Sequence, residues 1–477
     1  MAEQRLNTGS HDLPVSDALV AFMKTGWADS EMVDIPVHAV APFTTKRRSA
    51  LSARFPGFRI VLPAGAFKIR SNDSDYKFRA HSTFAWYTGL SATDAVPENV
   101  LVLEPTPNGH EAHLYIHPRS PKDTEEFFRD RRHGEFWVGR RLTSGEMQRR
   151  YGLTVKHIDE VQAVLRDGTP TLAIRGEDPE LDAALPPAHE QDAELLAFTS
   201  EARLIKDSFE LDELRKACDA TIRGFDDMVR AFPAAVKEPN GERVIEAAFY
   251  GRARLEGNEP GYDSIIASGA HACVLHWIKN DGPVRNGDLI LIDAGVETDA
   301  LYTADVTRTL PVNGQFTDAQ RRIYMLVYEA QEAAFAVIKP GVNYREIYWA
   351  AQRVLAKGLE ELGFLQIPAE ESLKPEVGLH RRWTVHSTGH MLGIDVHDCA
   401  KARGETYLDG PLQPGMVLTV EPGLYFNEDD LLIPEEYRGI GVRIEDDLLI
   451  TADGFENLTA GLPRHPDDIE RWMQQLR

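Results

Sequence analysis

The chain has 477 residues, of which 43% are hydrophobic and 27% charged, a composition typical of a globular protein with more than one core. Asp and Glu number 75 against 52 Lys and Arg, so the formal net charge is −23. A surface this acidic disfavours general binding to nucleic acid or to an anionic membrane. No apolar run approaches the length of a membrane span. We therefore expect two or more domains and neither nucleic acid nor membrane as a partner.

The cysteines indicate a reducing compartment. Cys218, Cys273 and Cys399 are far apart in the sequence and form no CxxC pair, so no disulfide framework is expected. The first residues lack a basic segment followed by an apolar one, which is the pattern of a signal peptide. A cytoplasmic location is the expectation.

The composition and patterning of the sequence divide the chain into three parts. Residues 1–45 are mixed in character and predict no particular element, so we treat them as an N-terminal extension. Residues 46–200 are expected to form a smaller α/β domain and residues 201–477 a catalytic domain. Within the first domain, the acidic, proline-containing stretch 176–192 predicts a surface connection.

In the N-terminal domain the strand signals come first. The run that starts at Phe58 and ends at Pro63 predicts a short strand. The runs Val100–Glu104 and Ala112–Ile116 predict a hairpin, with Pro107-Asn-Gly in its loop.

The second half alternates helical and strand-like groups. Apolar residues at three- and four-residue steps predict a helix over 209–229. Thr317-x-x-Gln320 predicts a capping box that opens a helix to about Ile338, and Asn343-x-x-Glu346 predicts a second box and a helix that ends near Gly363. Four apolar runs predict strands: 288–293, 303–311, 415–421 and 439–451. This order indicates an α+β fold, not a doubly wound sheet.

Two aspartates lie where strands meet a turn. Asp293 ends an apolar run just before Gly295, and Asp305 begins the next run after a turn-like segment. Strands joined by a tight connection bring these carboxylates side by side. Neighbouring buried carboxylates coexist when they share a proton or bridge a cation. In the alternative reading, Asp293 caps a turn and Asp305 pairs with Arg308.

Three histidines cluster between Val385 and Asp398. His386 and His390 are separated by Gly389, and Gly393 precedes His397. The glycines argue against one helical face that carries both His386 and His390. Imidazole is a common metal ligand and a proton carrier near neutral pH. A structural or exposed histidine is the alternative at each position.

Two glutamates complete the set. Glu421 ends the apolar run from Gly415 and is followed by Pro422-Gly. Glu445 lies in Gly441-Val-Arg443-Ile-Glu445, where strand alternation puts Arg443 and Glu445 on one face. A buried carboxylate is costly unless a cation holds it. An ion pair between Arg443 and Glu445 is the alternative explanation.

Together these positions indicate a metal centre. Carboxylate oxygens with one imidazole suit Mn²⁺, or another first-row ion such as Co²⁺ or Zn²⁺. Four carboxylates exceed what one divalent ion needs for charge balance, so we expect two ions with bridging carboxylates. Such a pair activates a bridging water as a nucleophile. The candidate ligands are Asp293, Asp305, His390, Glu421 and Glu445.

At these residues the sequence resembles the metallopeptidase family with the pita-bread fold, and most closely its Xaa-Pro aminopeptidases (aminopeptidase P). The specific matches in the catalytic part are the segments that begin at Asp305 and Tyr437. In the N-terminal part they are Arg70–Arg79, Ser82–Phe84 and Tyr87–Gly89. The resemblance covers nearly the whole chain after residue 45. It implies a pita-bread catalytic domain behind a smaller α/β domain.

The resemblance also implies roles for individual residues. It places the five candidates on a dinuclear centre, usually of Mn²⁺, and gives Glu421 the proton of the bridging hydroxide. His276 matches a substrate-binding histidine. His386 and His397 match histidines that contact the peptide and stabilise the tetrahedral intermediate. Two further matches complete the site, an arginine at Arg443 and a substrate-side tyrosine at Tyr425.

The implied activity is release of the N-terminal residue from peptides with proline second, by a homo-oligomer, either dimer or tetramer. Two alternatives stay open. One is a Xaa-Pro dipeptidase of the same fold, and the other is a catalytically dead module that binds peptides. All five candidate ligands are present, which disfavours the dead module.

Overall fold

The computed structural model describes residues 13–72 and 74–476. Its contacts divide the chain into two compact units, one that ends at Leu196 and one that begins at Ala197. The sequence placed the corresponding boundary between residues 200 and 201. Each unit has its own sheet system and core, and we describe them separately.

A five-stranded mixed sheet organises the N-terminal unit, in the order β6-β5-β4-β1-β7. Strands β1, β4 and β5 run antiparallel to one another, whereas β7 and β6 add in parallel at the two edges. Thr106 pairs with Gly109, so Pro107 and Asn108 form the hairpin loop that the sequence predicts. The strands of this unit are β1 Arg59–Pro63, β2 Ile69–Ser71, β3 Ser74–Asp75, β4 Val100–Thr106, β5 Gly109–Ile116, β6 Thr154–His157 and β7 Thr171–Ala173.

Eight helices accompany this sheet in the described part of the unit. Two of them, α1 and α2, overlap residues 1–45, for which the sequence predicted no particular element. The described part of the extension contains α1 and the start of α2, while residues 1–12 lie outside the described residues. The stretch 176–192 is not only a connection, because Asp178 accepts hydrogen bonds from two backbone N–H groups and caps α8. The helices are α1 Asp17–Met23, α2 Ala41–Arg54, α3 Ser82–Thr88, α4 Glu126–Arg129, α5 Glu135–Val138, α6 Ser144–Tyr151, α7 Val161–Leu165 and α8 Pro179–Ala184.

Long amphipathic helices frame the second unit. The predicted helix over 209–229 is confirmed and longer, and the Thr317 capping box is formed at the start of α12. Among residues 13–72 and 74–476, no helix is both long enough and apolar enough to cross a membrane. The helices are α9 Asp192–Glu201 at the boundary between the units, α10 Ser208–Ala235, α11 Gly241–Glu256, α12 Asp318–Val337, α13 Arg345–Glu361, α14 Ala369–Ser372 and α15 Pro466–Leu476.

The second predicted capping box is wrong. The helix α13 begins at Arg345 without a side-chain cap at Tyr344. The side-chain oxygen of Asn343 accepts from the backbone N–H of Arg345 at 3.0 Å, and the side-chain NH₂ of Asn343 donates to the backbone carbonyl of Asp409 at 2.8 Å. The asparagine therefore fixes a turn against a neighbouring loop instead of capping the helix three residues later.

Several small antiparallel sheets form the catalytic unit. The predicted run 439–451 is two strands, because Ile444 and Glu445 interrupt it: β15 pairs with β14, and β16 pairs with β13. The run 415–421 ends at Val420, and a new strand begins at Gly423. The strands are β8 Glu259–Pro260, β9 Ile265–Ser268, β10 Leu289–Ala294, β11 Val296–Glu297, β12 Val306–Pro311, β13 Val417–Val420, β14 Gly423–Phe426, β15 Ile440–Arg443, β16 Asp446–Ile450 and β17 Phe455–Asn457.

The central strand β10 divides two apolar layers. Ile290 and Ile292 join the large core beneath helices α10 to α13, whereas Leu291 packs with Tyr425 in a smaller cluster on the other face. Side chains alternate along a strand, so Asp293 shares its face with Leu291. The fold thus turns Asp293 away from the large core and towards the side where Tyr425 lies.

Candidate metal centre and active site

The turn after β10 brings two carboxylates together. The Thr298 N–H donates to the carbonyl of Tyr302 at 2.8 Å, and Glu297 forms a bridge with Thr303. A Cβ atom at Gly295 would lie 1.7 Å from the carbonyl oxygen of Ala304, so only glycine allows the two backbones to approach this closely. Asp305 therefore lies directly before β12 and beside Asp293.

Tyr262 joins these two aspartates, and sequence reasoning missed it. Its hydroxyl lies 2.6 Å from Oδ1 of Asp293 and 2.6 Å from Oδ1 of Asp305. A phenol has one proton, so it donates to one carboxylate at a time. Burial, with Asp293 second, raises the pKa of Tyr262 well above its ordinary value, which keeps the hydroxyl protonated.

Arg443 and Thr307 hold the outer oxygens of the acids. The Arg443 guanidinium donates to Oδ2 of Asp293 at 2.6 Å and to the hydroxyl of Thr307 at 3.1 Å. Thr307 in turn donates to Oε2 of Glu445 at 2.7 Å. Arg443 therefore pairs with Asp293 and reaches Glu445 only through Thr307, so the simple ion pair between Arg443 and Glu445 does not form.

The other simple alternative, an ion pair between Asp305 and Arg308, is also absent from the described residues. Arg308 is fully buried and donates to Asp446 at 2.8 Å and to the carbonyl of Glu445 at 2.6 Å. Strand alternation explains the difference, because Arg308 and Asp305 lie on opposite faces.

His390 faces the acids with one ring nitrogen. Its Nδ1 lies 3.1 Å from the carbonyl of Met391, to which it donates, so Nε2 is the nitrogen left for a ligand. Nε2 lies 3.2 Å from Oδ2 of Asp305 and 3.8 Å from Oε1 of Glu421. Asp305, His390 and Glu445 each offer a ligand atom within 4.8 Å of the other two.

The charges at this cluster fit a bound cation. Burial, together with the other carboxylates, raises the pKa of Glu421 to about 7 and that of Glu445 well above its ordinary value. The pKa of Asp305 is raised by burial and by Asp293. Burial alone lowers the pKa of His390, but the hydrogen bond with Asp305 raises it to about 9. These raised pKa values show that ionised carboxylates are unfavourable here without a counter-charge, which a divalent ion would supply.

A second chain of hydrogen bonds runs behind the cluster. Nη1 of Arg443 donates to the Tyr425 hydroxyl at 3.0 Å, and that hydroxyl lies 2.8 Å from Nε2 of His386. Nδ1 of His386 lies 2.6 Å from the carbonyl of Ser387 and donates to it, so Nε2 accepts from Tyr425. Burial, with Arg443 second, lowers the pKa of His386 to about 4, which keeps the imidazole neutral.

One cavity of about 480 Å³ collects nearly all the predicted site residues. All five candidate ligands line it. Tyr425 does not, because it is 4% exposed and lies behind His386. The ring of His397 lies 4.4 Å from that of His390 and nearly perpendicular to it. The remaining predicted residues at its wall are His276, His386, His397 and Arg443, beside the apolar Ile265, Leu275, Ile278 and Val396.

Two family models match the chain. Residues 212–452 match the metallopeptidase family M24, and residues 44–171 match the aminopeptidase P N-terminal domain. Xaa-Pro aminopeptidase 1 of Streptomyces coelicolor is 55% identical over 466 residues, which is 97% of this chain and 93% of that protein. Xaa-Pro aminopeptidase of Escherichia coli is 34% identical and covers 91% of this chain and 98% of its own.

Solved structures agree with these matches. Aminopeptidase PepP of Pseudomonas aeruginosa superposes with a TM-score of 0.80 at 33% identity, over 92% of this chain and 99% of that one. Aminopeptidase P from E. coli with the inhibitor Pro-Leu gives a TM-score of 0.80 at 32% identity and the same coverage. The expected pita-bread domain and its smaller α/β partner are thus confirmed. The chain belongs to metallopeptidase family M24, within which it groups with the aminopeptidase P proteins.

Proposed function

We propose that this enzyme releases the N-terminal residue from peptides with proline in second position, and that it uses two divalent metal ions, with Mn²⁺ as the expected species. The observation that carries the proposal is that candidate ligands from separate parts of the sequence line one cavity. Relatives named Xaa-Pro aminopeptidase that span almost the whole chain support the substrate class.

The residues that would hold the metal ions are Asp293, Asp305, His390, Glu421 and Glu445. When bound, the ions supply an activated water and polarise the scissile carbonyl. A Zn-substituted form of E. coli aminopeptidase P is a solved relative, so we expect more than one first-row ion to occupy the site.

Glu421 is the proposed carrier of the proton. Its carboxyl lies in the cavity with Oε2 3.6 Å from Nδ1 of His386. A carboxylate at this place takes the proton from the attacking water and returns it to the leaving amine. Burial and Arg443 lower the pKa of His386 and keep its imidazole neutral, and Tyr425 orients the ring, so His386 meets the peptide as an oriented polar group and not as a cation.

His276 and His397 are the proposed contacts to the peptide on the cavity wall. Ile265, Leu275, Ile278 and Val396 give that wall an apolar surface, which suits the ring of proline. The acids of the centre favour the ammonium group of a free N-terminus. We assign Tyr425 to the support of His386, because it is buried behind that ring.

A dipeptidase of the same fold is the nearest alternative. Rates on a tripeptide and a dipeptide that share a proline in second position separate the two: the proposal expects the tripeptide to be cleaved at least as well. Glu421→Ala should abolish cleavage, whereas Glu376→Ala, which changes an exposed glutamate in a loop, should leave the rate unchanged. Metal binding without any cleavage in the wild type would instead favour the dead module.

We also propose a cytoplasmic location, supported by three free cysteines, of which Cys218 and Cys399 are buried. The proposed division into residues 1–45, 46–200 and 201–477 is supported by the matched segments. A homo-oligomer is consistent with the consecutive exposed apolar residues Phe136, Trp137 and Val138. Light scattering tests it, and a monomeric mass would overturn it.

A further inference from the structure

Two buried cations converge on the residue that follows His397. Nζ of Lys206 lies 2.9 Å from Oδ2 of Asp398, and Nε of Arg203 lies 2.9 Å from Oδ1 of the same carboxylate. The side chains of Lys206 and Asp398 are 0% and 1% exposed, and that of Arg203 is 8% exposed. Two cations from the segment before α10 thus fix one carboxylate that lies about 190 residues later in the chain.

The charges of this group are stabilised in the buried state. Burial opposes ionisation of Asp398, but Lys206 and Arg203 hold its pKa below the ordinary value. Burial likewise opposes ionisation of Lys206, and Asp398 keeps its pKa above the ordinary value. An ion pair of this kind is costly to break on one side, because the remaining charge stays buried.

The loop 391–399 is shaped to receive these cations. A Cβ atom at Gly393 would lie 2.2 Å from Oδ2 of Asp398 and 2.9 Å from Nζ of Lys206, so glycine is required for the close approach. The Asp398 N–H closes the loop by donating to the carbonyl of Met391 at 2.9 Å. Cys399 adopts a left-handed φ of 61°, and its N–H donates to Oδ1 of Asp398 at 2.9 Å. A strained non-glycine residue is kept here by the bonds around it.

His397 depends on this loop for its position. Within the described part of the chain, its imidazole has no hydrogen bond or ion pair, although the ring packs at 4.4 Å against His390. His386 and His390, by contrast, are each oriented by hydrogen bonds of their own ring nitrogens. The backbone next to Asp398 is therefore the main determinant of where the His397 ring lies in the cavity.

We propose that Arg203 and Lys206 are positioning residues, which act through Asp398 to place the imidazole of His397 against the peptide. This inference rests on the proposed function, in which His397 contacts the substrate. Small displacements of a positioned group cost large factors in rate, up to about 100-fold for about 1 Å. The cations hold Asp398, which directly follows His397 in the chain, and we expect their effect on the reaction to pass through that histidine.

A double-mutant cycle tests this dependence. Arg203→Met should lower kcat/KM about tenfold, on the scale of such displacements. In a His397→Ala background the same change should alter kcat/KM by less than about twofold, because the positioned ring is already gone. Arg203→Lys keeps the charge and should recover most of the activity. The control Arg403→Met breaks a nearby surface pair with Glu201 and should leave kcat/KM unchanged.

A second readout does not need activity. In protein labelled with ¹⁵N only in histidine, the His397 ring signal is identified by its loss in His397→Ala. Arg203→Met and Lys206→Met should both shift that signal and leave the His276 signal, identified in the same way, in place. If the methionine variants do not fold, Asp398→Asn, which keeps the side-chain shape and removes the charge, should also shift the His397 ring signal.

Independent, multiplying effects of Arg203→Met and His397→Ala, or an unmoved His397 signal, would overturn the positioning role. Failure of the wild type to cleave any peptide with proline second would instead overturn the proposed function. The ring spectrum still reports on the positioning in that case, so the two failures are distinguishable.

Discussion

Arg443 donates a hydrogen bond of 2.6 Å to Asp293, and both side chains are buried at the wall of the cavity. The same guanidinium donates to Tyr425, which bonds to His386. One arginine therefore connects the carboxylate cluster with the histidine proposed to meet the substrate. Its charge is the counter-charge of an acid whose other oxygen lies 2.6 Å from the Tyr262 hydroxyl.

Replacement of Arg443 should destabilise the metal-free protein more than the metal-loaded one. Arg443→Met leaves Asp293 buried without its partner, a change that costs about 3–5 kcal/mol in comparable pairs. Bound Mn²⁺ compensates part of that charge. Urea midpoints in EDTA and in Mn²⁺ measure the difference. Arg382→Met is the control, because Arg382 pairs with Asp430 and not with any of the candidate ligands. An equal loss under both conditions would show that Asp293 does not face a cation.

Removal of the Tyr262 hydroxyl should weaken metal binding without unfolding the protein. Tyr262→Phe deletes the donor shared by Asp293 and Asp305, and loss of such outer partners costs about 10- to 100-fold in metal affinity. Competition with a chelator measures the affinity. Tyr250→Phe, on an exposed tyrosine of α11, is the matched control. Unchanged affinity in Tyr262→Phe would assign the hydroxyl to folding alone.

Two glycine substitutions should have opposite effects. Gly295→Ala puts a methyl group against the backbone of Ala304 and should prevent the turn that pairs Asp293 with Asp305. Gly251→Ala lies within α11 with open space around it, and alanine should stabilise that helix by about 0.5–1 kcal/mol. Thermal unfolding and metal content measure both variants. A folded Gly295→Ala protein with full metal content would contradict the role assigned to this turn.

Asp430 should make the stability depend on pH. Hydrogen bonds from Arg382 and Trp383 lower its pKa from 3.8 to about 2, although burial opposes the shift. A pKa lowered by folding adds stability above the unfolded value, and that contribution is lost as pH falls towards 2. Asp430→Asn should therefore be less stable than wild type at pH 7 by about 1–3 kcal/mol, and the difference should vanish near pH 2. A gap that is constant between pH 2 and pH 7 would exclude this origin.

Several candidate ligands could be predicted from their local sequence context. Asp293 and Glu421 each follow an apolar run and precede glycine, and His390 has glycines on both sides. These local signals make both acids candidates because each lies at or just after the end of a strand. The resemblance of the motifs to a known family added the expected grouping of the five candidate ligands, and all five line one cavity.

Other features depend on contacts that no local pattern shows. Tyr262 follows a glycine in a loop and resembles any exposed turn residue, yet it joins two ligand candidates. The break in the run 439–451 arises because the N–H of Glu445 donates to Thr307, a residue of another strand, at 3.0 Å. The ion pair between Lys206 and Asp398 also cannot be predicted from a local pattern, because it joins positions far apart in the sequence. Long-range pairing is thus the information that local periodicity lacks.

We propose that a metal centre at the five candidate ligands cleaves peptides with proline second. The most direct measurement is a titration of metal-stripped protein with Mn²⁺, with bound metal and cleavage of one such tripeptide followed in the same samples. We expect cleavage to be absent in the stripped protein, to appear with bound metal and to saturate at two ions per chain, and we expect His390→Ala to lower both metal binding and cleavage. Full cleavage by the stripped protein, or full metal binding with no cleavage of any peptide with proline second, would contradict it.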